Sequence, residues 1–398
     1  MLKWQGFKFE TRLNGKQLRK VRRFAGACRF VYNKALALCK DRYIRKEKYL
    51  GYVGLAALLP TWKQEFDWLS DVPAQALQQS LKDLDQAYIN FFKKRANSPV
   101  FRKKSKRDSF RIPQGFEVDS ANGRVKLPKL GWIRYRKSRD IEGKPKNITV
   151  SLGDGKIFIS IQTEREVNQP LHPSTSVVGL DWGVKRFYTL SDGIYEEGLA
   201  PLKEFLPKLR QLQRRLSRKR RFSKNWQKAK ARVAKIHTKI ANIRKDFIHK
   251  ATDEISKNHA VIFFEDLHTL RLSKSVKGTS EKPGKSVKAK SGLNRSILDA
   301  SPYQMRRQLE YKTQWRGGLA FAVPPRNTSR RCPQCGFVSR ENRKTQEKFV
   351  CVNCGFSSNA DLVGAINIKE AGLALLACSQ SSPELRASWQ EPAEGICA

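Results

Sequence analysis

Three acidic residues accompany apolar segments and have the chemistry of divalent-metal ligands. Asp181 ends the aliphatic run VVGLD, and Glu265 ends the short apolar run AVIFFE. Both runs have the length of buried strands, so each strand would present a carboxylate at its far edge. Asp361 lies in NADLVGAINI, whose apolar positions fit a half-buried helix. The sequence therefore predicts two carboxylates on strands and a third on a helix.

Three such carboxylates are what a two-metal phosphodiester nuclease of the RNase H type needs. Two Mg²⁺ ions roughly 3.5–4 Å apart require several anionic oxygens, which bind the ions and offset their mutual repulsion. A single acidic residue after an apolar run is more often a turn residue or a helix cap. The three residues become informative only when they are taken together with the rest of the chain.

Four cysteines have the spacing of a structural zinc site. Cys332-Pro-Gln-Cys335 and Cys351-Val-Asn-Cys354 are two CxxC pairs separated by 15 residues, which falls in the range of four-thiolate zinc sites. Disulfides are the alternative, but a basic chain without a signal peptide favours zinc. Because four thiolates leave no open coordination position, we predict a structural Zn²⁺.

The net charge indicates a polyanionic partner. The 398 residues include 79 Lys and Arg against 36 Asp and Glu, which gives a formal charge of +43. An excess spread along the whole chain suits nucleic acid bound over a large surface. No apolar run approaches the roughly 20 residues of a membrane span, and the N-terminus lacks the apolar region of a signal peptide. We expect an intracellular protein with no membrane partner.

The first 170 residues or so predict a small β-barrel or sandwich that carries helices. Trp4–Leu13 has the alternation of a strand, and Asn14-Gly15 is expected to turn it. Helical spacing of apolar residues predicts helices over Lys16–Tyr43 and Pro73–Lys94. Short strands separated by Gly, Asp and Pro turns are then predicted at Val125–Leu127, Ile133–Tyr135, Ile148–Ser151 and Lys156–Gln162.

Exposed basic and amide side chains of this half are candidates for contacting nucleic acid. The segment Lys93–Arg111 interleaves cations with Phe101 and Phe110, which suits a nucleic-acid groove. Glutamines on the polar face of the second helix could form paired hydrogen bonds with an adenine edge, although ordinary solvated glutamines are the alternative. The candidates are Arg19, Arg22, Arg23, Gln75, Gln78, Gln79, Arg102, Lys103 and Lys104.

The second half predicts an α/β domain with a helical insertion. A hairpin around Ser191-Asp192-Gly193 follows the strand of Asp181. A helix over Asn225–Lys257 has a heptad seam formed by Trp226, Val233, Ile240 and Phe247, with Ala229, Ile236 and Ile243 interleaved. It is therefore expected to pair with a helix over Leu202–Arg221 as an antiparallel hairpin with the basic turn RRLSRKRRFSKNW. Ser273–Gly292 is poor in apolar residues and predicts a mobile loop. A helix is expected from Pro302 after an N-cap at Ser301, followed by the strand LAFAVPP.

Six motifs in a fixed order resemble the TnpB family of transposon-encoded RNA-guided nucleases, which are similar to compact type V CRISPR effectors. The motifs are GLDWGVKRFYTLSDG, FFEDL, GLNRSILD, RRQLEYKTQWRGG, the CPQCG/CVNCG pair and NADLVGAINI. The N-terminal ACRFVYNKALAL and AQALQQSLKDLDQAYINFFKK extend the match to nearly the whole chain up to about Ala371. The resemblance implies a RuvC-type domain interrupted by a zinc ribbon, in which Asp181, Glu265 and Asp361 are the metal-binding catalytic residues.

The resemblance also implies an activity and its partners. A guide RNA made from the transposon end would pair with one strand of double-stranded DNA, beside a short target-adjacent motif. Two Mg²⁺ would serve cleavage and one Zn²⁺ would be structural. The expected setting is the cytoplasm of a prokaryote, with action at the nucleoid, and the expected state is a monomer. A guided DNA-binding repressor that no longer cuts and a DNA-strand transposase are the two alternatives.

The chain departs from the family pattern at two places. The family often has D-R-D-x-N-A around its last acidic residue, whereas Asn359-Ala360-Asp361 is followed here by Val363-Gly364. Loss of the accessory Asp and Asn would weaken support of the metal site. In some relatives a Lys precedes the central Leu-Gln of the Pro73–Lys94 helix, and Ala74 stands there in this chain. This substitution bears on the preferred target motif.

The predicted fold is α/β, with an RNase H-like nuclease domain that carries a helical hairpin and a zinc ribbon, joined to an N-terminal β-barrel (wedge) with an inserted helical recognition domain. The predicted boundaries are 1–14 and 106–172 for the barrel, 15–105 for the helical domain, 173–331 and 355–372 for the nuclease, 332–354 for the ribbon and 373–398 for a disordered tail.

Overall fold

The computed structural model describes residues 1–104, 108–153 and 156–380. The chain divides into two compact units, of which the first is Met1–Asn168 and the second begins at Gln169. No helix in the described ranges is long and apolar enough to cross a membrane.

The first unit contains a seven-stranded antiparallel sheet in the order β2-β6-β7-β1-β5-β4-β3. Its strands are β1 (Leu2–Arg12), β2 (Ser109–Ile112), β3 (Glu117–Asp119), β4 (Arg124–Leu127), β5 (Gly131–Tyr135), β6 (Lys144–Gly153) and β7 (Lys156–Glu166). Alternate residues of β7 are buried, as the period of two requires for a sheet covered on one face. β2 and β3 form the two ends of the sheet in the described ranges, so the closed barrel stays a prediction.

The helices of the first unit share one hydrophobic core with the sheet. They are α1 (Gly15–Ile44), α2 (Tyr52–Ala57), α3 (Leu59–Glu65) and α4 (Ala74–Phe92), with a 3₁₀ turn at Asp67–Asp71. Val31 and Leu36 of α1, Leu77 of α4 and Phe7 and Phe9 of β1 all belong to the same buried cluster. The predicted helices at Lys16–Tyr43 and Pro73–Lys94 are therefore present, but they do not have a core separate from the strands.

Two expectations for this unit are wrong. Asn14 does not turn the strand back but caps α1, because its side chain accepts from the Gln17 backbone N–H at 2.8 Å while the Gln17 side chain accepts from Asn14 at 3.1 Å. Phe110 is not in a nucleic-acid groove. It lies in β2 and is only 3% exposed, packed with Phe24 of α1.

The second unit is built on a five-stranded mixed sheet in the order β10-β9-β8-β11-β12. The strands are β8 (Val177–Trp182), β9 (Arg186–Leu190), β10 (Tyr195–Glu197), β11 (Val261–Glu265) and β12 (Leu319–Val323). β8, β9 and β10 pair antiparallel, whereas β8, β11 and β12 pair parallel. A separate two-stranded ladder joins β13 (Lys348–Val350) to β14 (Ser357–Asn359).

Helices cover both faces of this sheet. They are α5 (Pro201–Ser217), α6 (Lys224–Asn258), α7 (Thr269–Leu272), α8 (Val287–Ala300), α9 (Pro302–Trp315) and α10 (Ala360–Gln380). Residues of α6 and α9, including Ile248 and Met305, pack with Ile262 and Phe264 of β11. On the other face, Phe263 packs with Ile368 of α10. The alternation of β11 side chains thus explains its continuous apolar sequence.

The helical hairpin of α5 and α6 is present, but its predicted heptad seam is buried only in part. Ile240 of the seam is buried, and so is Ala234, which the heptad pattern did not include. Trp226, Val233 and Phe247 are half-buried. The hairpin therefore projects beyond the core that anchors the second half of α6.

Two boundaries and one helix cap in the second unit differ from the sequence prediction. Helix α8 begins at Val287, inside the predicted loop Ser273–Gly292. Helix α9 begins at Pro302, as predicted, but Ser301 before it has the left-handed φ of 53° and its hydroxyl donates to the Leu298 carbonyl, so its side chain does not cap the helix. Helix α10 continues to Gln380, beyond the predicted start of a tail at residue 373, because Ala371 and Leu376 pack against the sheet. Residues 381–398 of that tail lie outside the described residues.

Candidate active site and metal centre

The parallel pairing of β8 and β11 places Asp181 beside Glu265. Leu180 is in register with Phe264, so the next residue of each strand lies at the same edge of the sheet. Helix α10 packs on β8, and Asp361 is in the first turn of that helix. The fold therefore brings together three carboxylates that are 84 and 96 residues apart in the sequence.

The three carboxylates act on one another electrostatically. The pKa of Asp181 is raised well above its usual range, chiefly by burial and then by the negative charges of Glu265 and Asp361, while the Arg343 guanidinium opposes the rise. Neighbouring like charges disfavour ionisation unless a cation compensates them. A group of acidic side chains in this environment is suited to binding divalent cations through hard oxygen ligands.

Two side chains from outside the predicted motifs contact the carboxylates. The Thr328 hydroxyl donates to Glu265 Oε1 at 2.5 Å, and Arg343 Nη2 lies 3.4 Å from Asp361 Oδ1. Arg343 also donates to the Gln346 carbonyl at 2.9 Å, which holds its side chain within the Cys332–Cys354 segment. Neither residue stands in a local pattern that marks it, because each reaches its partner only through tertiary packing.

Three glycines allow α10 to approach the sheet closely. A Cβ at Gly179 would lie 2.1 Å from the Ala365 carbonyl oxygen, and one at Gly364 would lie 2.6 Å from Asp181 Oδ2. A Cβ at Gly372 would lie 2.1 Å from the ring of Phe263. Gly364, which departs from the family pattern, is therefore needed by the close contact between α10 and Asp181.

The carboxylates are more widely spread than the thiolates. Among the described residues, the ligand atoms of Cys332, Cys335, Cys351 and Cys354 all lie within 4.8 Å of one another. The three carboxylates do not form a group as compact as this. A pair of ions roughly 3.5–4 Å apart needs ligands on several sides of the pair rather than one tight cluster. The arrangement of Asp181, Glu265 and Asp361 is compatible with that requirement.

The four cysteine sulfurs have the spacing of a tetrahedral zinc site. The Cys332–Cys354 and Cys335–Cys351 Sγ distances are both 3.6 Å. A disulfide would require about 2.0 Å, whereas four sulfurs at about 2.3 Å from one Zn²⁺ lie roughly 3.7–3.8 Å apart. The cluster therefore fits zinc, and the disulfide alternative does not match the geometry.

Two glycines close the CxxC knuckles, and local hydrogen bonds favour the thiolate of Cys335. Gly336 and Gly355 follow the second cysteine of each pair with φ of 76° and 75°, a conformation that favours glycine and closes each knuckle. A hydrogen bond from the Phe337 backbone, followed by one from the Asn353 side chain, lowers the pKa of Cys335 to about 6. A thiol stabilised as thiolate is the form that ligates a metal.

The basic candidates of the first unit differ in their availability. Arg19 and Arg22 are exposed, as are Lys103 and Lys104. Arg23 forms an ion pair with Asp71.

Arg102 is exposed too, and it also makes structural contacts. Its guanidinium lies 3.3 Å from Asp83 and stacks 3.8 Å from the ring centre of Tyr32, and its backbone bonds to Asn33. These contacts anchor the segment after α4 to α1, which the sequence prediction did not anticipate.

The three glutamines of α4 are half-buried, and their neighbours Ala76 and Leu77 are in the core. In the described part of the chain, no hydrogen bond holds the side chains of Gln75, Gln78 and Gln79. Their amides are therefore available, although less exposed than a freely solvated side chain.

Comparisons with known proteins agree with this architecture. Residues 160–276 match the family model OrfB_IS605, described as a probable transposase, and residues 303–368 match the Cas12f1-like TNB domain. Residues 1–48 match a helix-turn-helix domain model of the same family, although here they form one strand and one long helix.

Two relatives match over most of their length. The chain is 53% identical over 400 residues to InsQ of Escherichia coli (strain K12), which is named as an RNA-guided DNA endonuclease. The alignment covers 100% of this chain and 100% of InsQ. It is 31% identical over 385 residues to a protein of Streptomyces pristinaespiralis with the same description, covering 94% of this chain and 90% of the relative. A Cas12f1 solved in complex with sgRNA and target DNA has a similar fold, with a TM-score of 0.54 at 14% identity over 92% of this chain and 99% of the other.

The two relatives that match over most of their length are both named endonucleases, which supports a protein of the nuclease class. The similarity is not limited to one domain, since the first relative matches from end to end. The chain belongs to the TnpB family.

Proposed function

We propose that the chain is an RNA-guided endonuclease that cleaves double-stranded DNA. The observation that carries the proposal is the complete set of Asp181, Glu265 and Asp361 at one sheet edge, in a chain 53% identical over its full length to a relative named for that activity. The intact carboxylates favour cleavage over the alternative of a guided repressor that only binds DNA.

In this proposal the second unit is a RuvC-type nuclease domain. Asp181, Glu265 and Asp361 would hold two Mg²⁺, which would supply activation of water and stabilisation of the charge that develops on the phosphodiester. Thr328 keeps Glu265 oriented through its hydrogen bond. Arg343 places a positive charge beside Asp361.

The charge of the chain fits partners with many phosphates. Guide RNA supplies sequence recognition by base pairing with one DNA strand. The protein binds the sugar-phosphate backbone of the resulting heteroduplex. A heteroduplex with an RNA scaffold offers far more phosphate than a free DNA duplex of similar length, and a charge of +43 suits such a partner. Arg19 and Arg22 of α1 and the exposed Arg102, Lys103 and Lys104 are proposed contacts. Arg102 also holds its segment against α1.

The domain boundaries follow the same proposal. The sheet of the first unit is the wedge, its helices form the recognition element, and the segment between Cys332 and Cys354 is a zinc ribbon inserted in the nuclease. A short duplex motif beside the target is read by the first unit, with α4 as the proposed reader. The protein acts as a monomer.

A plasmid cleavage assay tests the proposed activity. The chain is expressed with the flanking transposon end, purified with its RNA, and mixed with a plasmid that carries the matching target. We expect Mg²⁺-dependent linearisation that disappears after RNase treatment. Cutting at transposon ends without RNA would instead show a DNA-strand transposase.

The assay has a matched variant for the metal site. Asp181→Ala should reduce cleavage by at least about 10²-fold because the metal ligand is lost, while guided binding to the target remains, since the phosphate contacts lie elsewhere. Cleavage by this variant near the parental rate would refute the assignment of the site.

A further inference from the structure

The turn between α5 and α6 displays an aromatic pair flanked by cations. Phe222 is 75% exposed, and its ring centre lies 5.6 Å from that of Trp226 at an interplanar angle of 53°. The guanidinium of Arg221 lies 6.0 Å from the Phe222 ring, and Nζ of Lys230 lies 4.6 Å from the Trp226 ring. We call these four residues the tip platform.

Folding alone does not account for Phe222. Its φ is 66°, in the left-handed region that is unfavourable for a bulky residue and that glycine or asparagine adopts more easily. Its side chain is exposed and belongs to none of the buried clusters of the described chain. A residue that is costly for the backbone and buries little surface is better explained by binding than by stability.

The surroundings of the tip platform carry one sign of charge. Ten lysines and arginines lie between Arg214 and Arg232, all of them exposed, and no acidic residue occurs from Phe205 to Lys245. Within Phe205–Lys245, the ion pair that the described residues form is between Arg244 and Asp299, which lies outside Arg214–Arg232. The cations near the tip are left for an anionic ligand.

We propose that the tip platform binds unpaired bases of the guide RNA by stacking, while the flanking cations bind its phosphates. Aromatic side chains stack with bases that are not already stacked in a duplex. The inference rests on the proposed function, which supplies the RNA. The displaced DNA strand is available only while a target is bound, whereas the guide RNA is the partner bound throughout.

Rebinding of the RNA extracted from the purified complex tests the proposal on the full chain. Each base that loses its stacking partner should weaken binding by about 5- to 150-fold, so Phe222→Leu/Trp226→Leu should bind less tightly, whereas Phe222→Tyr/Trp226→Phe should bind like the parent. The slope of log affinity against log salt should stay unchanged in both variants, because no charge is removed. Lys224→Gln/Lys228→Gln should lower that slope.

A second variant separates binding from folding. Glycine adopts a left-handed φ without steric strain, so the melting temperature of Phe222→Gly should equal or exceed that of the parent. Its RNA affinity should fall, because the exposed ring is lost. A purely structural role of Phe222 predicts the opposite result, with a lower melting temperature and parental affinity.

Other outcomes would overturn the proposal. They are parental RNA affinity in Phe222→Leu/Trp226→Leu, an equal loss for a fully duplexed RNA, or a loss confined to a single-stranded DNA probe, which would make the displaced strand the occupant. If the parental chain purifies without RNA, the proposed function fails. If it carries RNA and the double variant binds that RNA equally well, only the tip platform fails.

Discussion

Gly364 sets how closely helix α10 can approach the acidic edge. Its missing side chain leaves room for Asp181, whose Oδ2 would lie 2.6 Å from a Cβ at this position. Gly364→Ala should push the first turn of α10 away from β8 and separate Asp361 from Asp181. Since a displacement of about 1 Å can cost about 10²-fold in rate, we expect cleavage to fall by that order while RNA binding is retained, as measured by plasmid linearisation.

Gly292 provides the matched control. It lies within α8, and a Cβ there would meet nothing within 4 Å. Gly292→Ala should leave cleavage unchanged and raise the free energy of unfolding by about 0.5–1 kcal/mol through helix propensity. Parental cleavage by Gly364→Ala would show that the close approach is not needed.

His259 makes the stability of the second unit dependent on pH. Burial lowers the pKa of its imidazole, Asp192 opposes the change and His172 adds to it, while Nδ1 lies 2.9 Å from the Ser176 hydroxyl. The unfolded chain thus takes up a proton at a higher pH than the folded chain. The folded state is therefore most favoured, as far as His259 is concerned, above the ordinary pKa of about 6.5. This contribution to the free energy of unfolding is lost as pH falls from that value to the lowered pKa of the folded state.

We expect His259→Gln to reduce this loss. The free energy of unfolding, measured in urea at several pH values between about 7.5 and 5, should depend less on pH in the variant than in the parent. An identical pH profile would exclude His259 as a contributor.

The residues with local patterns were predictable, and those defined by packing were not. Asp181, Glu265 and the four cysteines could be found because each follows a short run or a fixed spacing in the sequence. Thr328 and Arg343 reach the carboxylates over 63 and 18 residues. Only the tertiary fold decides such contacts, so no window of sequence contains them.

The segment Cys332–Cys354 packs against the start of α10, the helix that carries Asp361. Its buried cluster is small and joins Cys332, Phe349 and Cys351 to Ala360 and Val363 of α10. Because so few apolar residues cannot hold this segment, zinc should supply about 10 kcal/mol or more of its folding free energy. Cys351→Ser should remove zinc, open the segment to protease and lower cleavage, since Arg343 and the start of α10 lose their support.

Cys378→Ser is the control for this experiment, because Cys378 lies outside the cluster. It should retain the zinc content and the cleavage of the parent. Well-folded parental protein without zinc in metal analysis would contradict the assignment of a zinc site.

Substitutions in helix α4 test the proposal that this helix reads the target-adjacent motif. If the half-buried amides of Gln75 and Gln78 contact base edges, each replacement by Ala should cost about 1–3 kcal/mol of discrimination against other bases. A motif-depletion assay should then show a relaxed preference with unchanged RNA binding. Unchanged preference in both Gln75→Ala and Gln78→Ala would leave them as ordinary solvated glutamines.

The periodic elements were predicted better than their ends. Helix α1 begins at Gly15 and α4 at Ala74, each within a residue of the predicted start. The role of Asn14 and the length of α10 were missed, because a cap and a turn use the same residue types and because packing of Leu376 extends the last helix. Boundaries depend on these competing contacts more than element type does.

The charge of +43 governs how the chain as a whole binds RNA. Contacts with many phosphates release counterions, so affinity should fall by about 10³–10⁵ between 50 and 200 mM salt if about 6–10 contacts form. Filter binding at several salt concentrations measures this slope. A slope near zero would mean that base contacts rather than phosphates dominate, against the charge of the chain.

The position of Asp361 has a consequence for the order in which the protein is made. Strand β8 and the hairpin of α5 and α6 are synthesised before α10, which supplies the third carboxylate to the edge formed by β8 and β11. Until the ribosome has passed that helix, the nascent chain has basic surfaces for RNA but an incomplete acidic centre. We expect the growing polypeptide to be able to bind RNA before its acidic centre is complete.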